Sequence, residues 1–211
     1  MLSQGSAVFP IFYFPPISWF TAALKEKHIF LDTNATYRKQ RYTTRTLIKG
    51  PNGIVPLVLP VGRKGYHKRI SEKEISFREN WPQQHWRSIL FSYKNSPYFE
   101  YYESELSSCF EAPAHGLVDQ LMRVLQTVIE LLQLDIRMQI LPGQGEVSTG
   151  KDYRKAFSIN ASALPQWFRP TDYDQVFGEF KPNLSIIDLI CNVGPECALV
   201  LTNAYSLEND S

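Results

Sequence analysis

Cysteine is scarce in this sequence: Cys109, Cys191 and Cys197 are the only three among 211 residues. They form no Cys-x-x-Cys pair and no Cys/His zinc spacing. A disulfide scaffold and a zinc domain are therefore not expected, and sparse thiols fit a reducing, cytoplasmic setting. Net charge is nearly absent too. With 22 Lys or Arg against 21 Asp or Glu, the chain is formally +1, which gives no whole-molecule attraction for nucleic acid or an anionic membrane. The apolar N-terminal stretch from Ala7 to Leu24 is interrupted by Pro10, Pro15 and Pro16, which break any signal-peptide or transmembrane helix, so no membrane span is expected. Two motifs of common chemistries are missing: no serine nucleophile elbow and no Walker loop occurs. Gly143-Gln144-Gly145 begins a GxGxxG pattern without its third glycine. His28, His67, His85 and His115 show no metal-ligand spacing. No resident metal is expected, and no cofactor is named by any motif.

What is present reads as short strands followed by helices. Ala7 to Phe14 is β-branched and aromatic and stops at Pro15-Pro16. Ile17, Phe20, Ala23 and Leu24 then recur at helical spacing, and His28 to Leu31 reads as a second strand ending at Asp32. Tyr37 to Lys49 is basic but β-rich. Gly50-Pro51-Asn52-Gly53 is a turn that joins it to Ile54–Val61 as a hairpin, and Lys73 to Phe77 reads as a further strand. Asn80 is placed to cap a helix running to about Ser92, with Trp86, Ile89, Leu90 and Tyr93 on its apolar side. Helices over Tyr98–Phe110 and Gly116–Leu134 follow, then a strand over Arg137–Leu141, a glycine-rich loop to Lys151 and a last apolar helix over Leu184–Ile190. The order predicts one mixed α/β (α+β) domain over residues 1–211. Its β-rich N-terminal part of about 80 residues precedes a helical part and a returning strand.

Charge is balanced overall but not locally. From His28 to Arg69 nine basic residues (Arg38, Lys39, Arg41, Arg45, Lys49, Arg63, Lys64, Lys68 and Arg69) stand against one acid, Asp32. Alternation along a strand puts Lys39, Arg41 and Arg45 on one side, a face suited to phosphate, a sugar nucleotide or a nucleic-acid backbone. A solvated strand face balanced by the acidic helices after it is the plainer account, and RNA is the weakest. Asp32 and His85 are the candidate acid/base groups. Their plainer roles are a strand-end cap or arginine partner for Asp32 and a hydrogen-bonded core histidine for His85.

Several blocks then line up in order. Phe30-Leu31-Asp32 is followed by Tyr37-Arg38-Lys39-Gln40-Arg41-Tyr42-Thr43-Thr44-Arg45, Ile48-Lys49 and Pro51-Asn52-Gly53. Trp81, His85-Trp86, Tyr93 and Ser96-Pro97-Tyr98-Phe99 form a middle motif. Gln175-Val176-Phe177, Pro182 to Leu189, Asn192 and Gly194-Pro195 close the chain. Together they resemble the WbqC-like protein family, and the wording around Lys39 to Arg45 is most similar to members from Bacteroidetes. The resemblance implies a bacterial cytoplasmic protein linked to surface-polysaccharide (O-antigen, lipopolysaccharide) biosynthesis. Its expected partner is a small anionic ligand such as a nucleotide sugar, with acyl or aminoacyl transfer as the natural reaction. Lys39, Arg45 and Lys49 are then expected to hold phosphate or carboxylate groups, with Asn183 and Asp188 orienting the ligand or the basic strand. One departure stands out. Where many relatives open with His-Gln-Pro, this chain has Phe9, Pro10 and Ile11, which favours the alternative of a non-enzymatic binding or scaffold protein within a biosynthetic complex.

Overall fold

The computed structural model describes residues 7–39, 41–62, 68–143, 150–159 and 164–206. Gln40, Arg63, Lys64, His67 and the Gln144-Gly145 pair of the glycine-rich loop lie outside the described residues.

The chain opens with a βαβ unit: β1 (Ala7–Pro10), α1 (Ile17–Glu26) and β2 (His28–Asp32), the two strands parallel with Ala7 opposite Ile29 and Pro10 opposite Asp32. Much later β5 (Arg137–Ile140) adds to the far side of β2, also parallel. Residues 151–153 run beside the other edge of β1, where Val8 N–H donates to Lys151 O at 2.9 Å and Tyr153 N–H to Val8 O at 2.8 Å. Strand periodicity divides the side chains cleanly. Ala7, Phe9, Ile29 and Leu31 enter the main core, whereas Val8 and Phe30 meet Leu141 in a small separate cluster. β1 stops at Pro10, and Ile11 to Phe14 continue as buried irregular chain rather than strand.

β3 (Arg45–Gly50) and β4 (Gly53–Val58) form the hairpin, closed at the Gly50–Gly53 pair with Gly53 at φ +119°, where only glycine is comfortable. The expected basic strand face does not form. Residues 35–37 are tied instead to 68–70, with Tyr37 N–H on Lys68 O and Ile70 N–H on Ala35 O, both at 3.0 Å, and the chain turns again at Arg41–Thr44. Lys39 and Arg41 therefore precede β3, and alternation does not align them with Arg45. Lys73–Phe77 is reduced to isolated bridges through Glu74 and Ile75.

α2 (Trp81–Tyr93), α3 (Phe99–Glu111) and α4 (Leu117–Leu131) follow. The Asn80 side chain donates to Gln83 Oε1 rather than capping α2. α2 buries Trp81, His85, Ile89, Ser92 and Tyr93, while Trp86 and Leu90 are half-buried. The chain ends in α5 (Ile186–Val193) and α6 (Cys197–Asn203). By length and composition the run Ile186–Asn203 could cross a bilayer, but over half of it is buried in the fold and it carries the buried Asp188. It is a core segment, broken by Gly194-Pro195.

That break is sterically exact in its demands. Gly194 has φ +63°, and a Cβ placed on it would lie 2.4 Å from the Tyr98 ring. Gly194→Ala should lower stability by roughly 2–4 kcal/mol, from left-handed strain and the ring clash together, read as a shift in the denaturant midpoint. A loss under about 1 kcal/mol would mean that Tyr98 moves aside freely.

Candidate functional site

In open parallel sheets, ligands bind beyond the carboxyl ends of the strands, at the point where successive connections leave in opposite directions. Here that point is beside β1, with β2 on one side and residues 151–153 on the other. Asp32 closes β2 there. Its Oδ1 accepts the backbone N–H groups of Asn34 and Ala35, both at 3.0 Å, and its Oδ2 lies 3.4 Å from an Arg154 guanidinium nitrogen. Arg154 also grips Asp152, with a 2.6 Å contact to Oδ2, and this bonding holds the Asp152 carboxyl below its usual range. Asn34 reaches across to Gly143 O at 2.8 Å, behind the end of β5. The 35–37/68–70 pairing brings Arg38, Lys39, Lys68 and Arg69, all exposed, to the same end of β2.

The other anion site such a unit could offer, the N-terminus of α1, is filled by protein. Pro15 and Pro16 bring no N–H of their own. Ile17 N–H donates to Leu184 O at 3.0 Å, and Ser18 N–H donates to Asn183 Oδ1 at 2.9 Å. Asn183, held at φ +58°, thus caps a helix 165 residues away in sequence. Ser185 continues the join: its N–H bonds Leu47 O at 2.8 Å, and its Oγ shares Phe14 O with Thr46 Oγ1. Asn183 is engaged in this join through its side-chain oxygen.

Lys49 and Asp188 do come together. Asp188, fully buried, accepts Tyr93 Oη at 2.8 Å on Oδ1, and Tyr173 Oη at 2.6 Å and Gln175 Nε2 at 2.8 Å on Oδ2. Tyr93 Oη accepts the Lys49 N–H at 3.0 Å, and Lys49 Nζ donates to Glu179 O. Burial lowers the Lys49 ammonium from its ordinary value, helped by Lys181 and opposed by Asp188 and Glu179.

His85 sits apart in an aromatic pocket of Trp81 and Phe110, its Nδ1 3.0 Å from Tyr13 Oη. Arg45 is linked to it indirectly: Val58, the strand partner of Arg45, supplies the backbone group at the imidazole. Among the described residues, the buried Arg45 Nε has no hydrogen-bond partner. Phe9, at the position of the absent histidine, stacks on Tyr153 at 4.5 Å. The three cysteines are buried free thiols, and burial pushes Cys197 up to about 12. No group of three or more His, Cys, Asp or Glu side chains able to hold a metal occurs among the described residues. A cleft of about 730 Å3 between residues 60–62 and 68–79 is lined by Lys68, Glu72, Lys73, Glu74, Arg78 and Glu79, and by none of the expected site residues. Arg154 and Tyr173 escaped sequence reading because both lie in irregular chain without periodicity. Tyr93 was read from spacing as part of the apolar side of its helix, and Gln175 was visible only through the family blocks.

Burial lowers His85 to about 4, against the contact from Val58. An unfolded histidine titrates near 6.5, so the native state binds fewer protons between these values. Stability should be complete above about pH 6.5 and fall as pH drops toward 4, by on the order of 2–3 kcal/mol from this group. Chemical unfolding from pH 7 to 4 should show that slope flattened in His85→Gln; an unchanged slope would place the acid sensitivity elsewhere.

The WbqC-like protein family matches the chain over residues 12–163 and again over 147–199. An uncharacterised protein of Mycobacterium tuberculosis (strain ATCC 25618 / H37Rv), Rv1507c, is 26% identical over 189 residues, covering 76% of this chain and 81% of that protein. No solved structure matches. With a family match running from just after β1 through α1, β2, the hairpin, the helices and the closing join, the chain belongs to the WbqC-like protein family.

Proposed function

We propose that this protein binds an anionic sugar or nucleotide-sugar intermediate at the carboxyl end of its parallel sheet, in the service of surface-polysaccharide biosynthesis in the cytoplasm. The observation that carries the reading is the meeting of two chemistries there. Asp32 and Asp152 present carboxylates of the kind that accept sugar hydroxyls, while Arg38, Lys39, Lys68 and Arg69 stand exposed on the paired segments that follow β2, with cations suited to phosphate. A phosphorylated sugar satisfies both; a free sugar or a bare phosphate satisfies one. The biosynthetic setting rests on the family resemblance alone.

The geometry supports binding more than proton transfer. Asp32 Oδ1 is committed to two backbone N–H groups, and His85 is buried, unprotonated at neutral pH and bonded to Tyr13. An acyl or aminoacyl transfer would need a ligand to reorganise these groups. The alternative of a non-enzymatic scaffold draws support from the same facts, since Asn183 and Asp188 also spend their polar atoms on the protein itself.

Calorimetric titration with UDP-N-acetylglucosamine, N-acetylglucosamine and inorganic pyrophosphate discriminates these readings. Saturable binding is expected for the nucleotide sugar, weaker binding for pyrophosphate, and at least about a tenfold loss in Arg154→Ala and in Lys39→Ala/Arg69→Ala, which corresponds to about 1.4 kcal/mol. No heat from any of the three at millimolar concentration, with a protein that unfolds cooperatively, would contradict ligand binding and favour the scaffold.

A further inference from the structure

Between Phe168 and α5, residues 169–182 run without helix or strand. This stretch is fastened to the core near its middle. Tyr173 Oη and Gln175 Nε2 donate to Asp188 Oδ2, Lys49 Nζ donates to Glu179 O, and Phe180 packs edge-on to Tyr173 with ring centroids 5.2 Å apart.

The direction of each bond to Asp188 is fixed by a second bond. Tyr93 Oη already accepts the Lys49 N–H, so its own proton goes to Asp188 Oδ1. Gln175 Oε1 accepts the Lys181 N–H and Gln175 Nε2 donates to Lys181 O, both at 2.9 Å, so the amide cannot reverse without losing both bonds. Tyr173 Oη accepts Gln175 Nε2 at 3.4 Å and donates onward to Asp188. Three donors therefore converge on one carboxylate. A protonated carboxyl could donate only to a tyrosine oxygen whose own proton now points at it, and so would lose at least one of the bonds it accepts.

The titratable and charged groups facing Asp188 are Tyr93 from α2, Lys49 from β3, Cys191 from α5 itself and Tyr173 from the 169–182 stretch, with Glu179 and Lys181 of that stretch acting on Lys49. Burial raises Asp188 above its ordinary value, against its three hydrogen bonds and the Lys49 charge. Tyr93 is held by a packed helix, whereas Tyr173 and Gln175 sit on irregular chain, so the strap is the side that yields.

We propose that residues 173–181 form an acid-released strap: a proton taken up on Asp188 frees Tyr173 and Gln175, and the strap lifts from α5. Its release opens the crevice beneath it, where Ile17, Phe168, Tyr173, Phe180, Val200 and Ala204 meet. Apolar surface then becomes available at a pH where the βαβ unit and α4 remain folded.

Hydrogen exchange of the full chain, measured by mass spectrometry at pH 7.5 and pH 5 and corrected for intrinsic rates, tests this. Strap amides should exchange about five- to tenfold faster at pH 5, the equivalent of one lost buried hydrogen bond, while α4 keeps its protection. Asp188→Asn should show fast strap exchange at both pH values. Should that variant fail to fold, Gln175→Met, which removes the bonds of one strap side chain to Asp188 and Lys181 and leaves the carboxylate in place, should show fast exchange at pH 7.5 with α4 unchanged. Strap protection in the unaltered protein that is the same at both pH values, or a Gln175→Met strap as protected as the original, would overturn the proposal.

Discussion

The hydrogen bonds between Phe14–Ile17 and Asn183–Ile186 join the two ends of the chain, and most of the architecture depends on that join. α1 starts after two prolines that offer it no side-chain cap, so its first N–H groups require acceptors brought from elsewhere. Leu184 O and Asn183 Oδ1 supply them, and Ser185 in turn holds β3 through Leu47 and caps α5 through Ile187. One short segment thereby fixes the βαβ unit, the hairpin and the last core helix against each other. The same bonds occupy the α1 N-terminus, which is why the proposed ligand is assigned to the carboxyl end of the sheet.

Two buried carboxylates then take different parts. Asp32 lies at a sheet end beside a partly exposed arginine and exposed cations, where an incoming ligand can exchange hydrogen bonds with it. Asp188 lies under the strap with every oxygen committed, where a change of protonation alters chain packing and no ligand is in reach. Burying a charge is costly unless it is fully bonded, and Asp188 meets that requirement only while it stays ionised and the strap stays closed.

Much of the fold was legible because periodicity and turn chemistry are local. The strands from Ala7 and from His28, the helix from Ile17, the Gly50–Gly53 turn and the helix within Gly116–Leu134 all follow from spacing and turn chemistry, although the first strand ends at Pro10 and not at Phe14. The basic strand did not, because pairing of 35–37 with 68–70 is a long-range choice that overrides the β-rich composition of Tyr37–Thr44. Within the candidate site, the capping role of Asp32 was readable from its place at a strand end. Its arginine was not, since 122 residues and an irregular segment separate Asp32 from Arg154. Lys49 and Asp188 were named by the family blocks, yet what unites them, Tyr93 and a strap through Tyr173 and Gln175, emerges only from packing. Asn183, a motif residue expected to orient the ligand or the basic strand, has its side-chain oxygen on the first turn of α1, a contact that 165 residues of separation hide from the sequence.

The most direct test of the account is where a ligand touches the protein. Backbone amide chemical shifts followed during titration with UDP-N-acetylglucosamine should move at Asp32–Lys39, Lys68–Arg69 and Asp152–Arg154, with Ile17–Trp19 unmoved because Asn183 and Leu184 already occupy that helix end. Shifts centred on Ile17–Trp19 and Asn183–Ile186 would contradict it, and would mean that the join opens to admit the ligand.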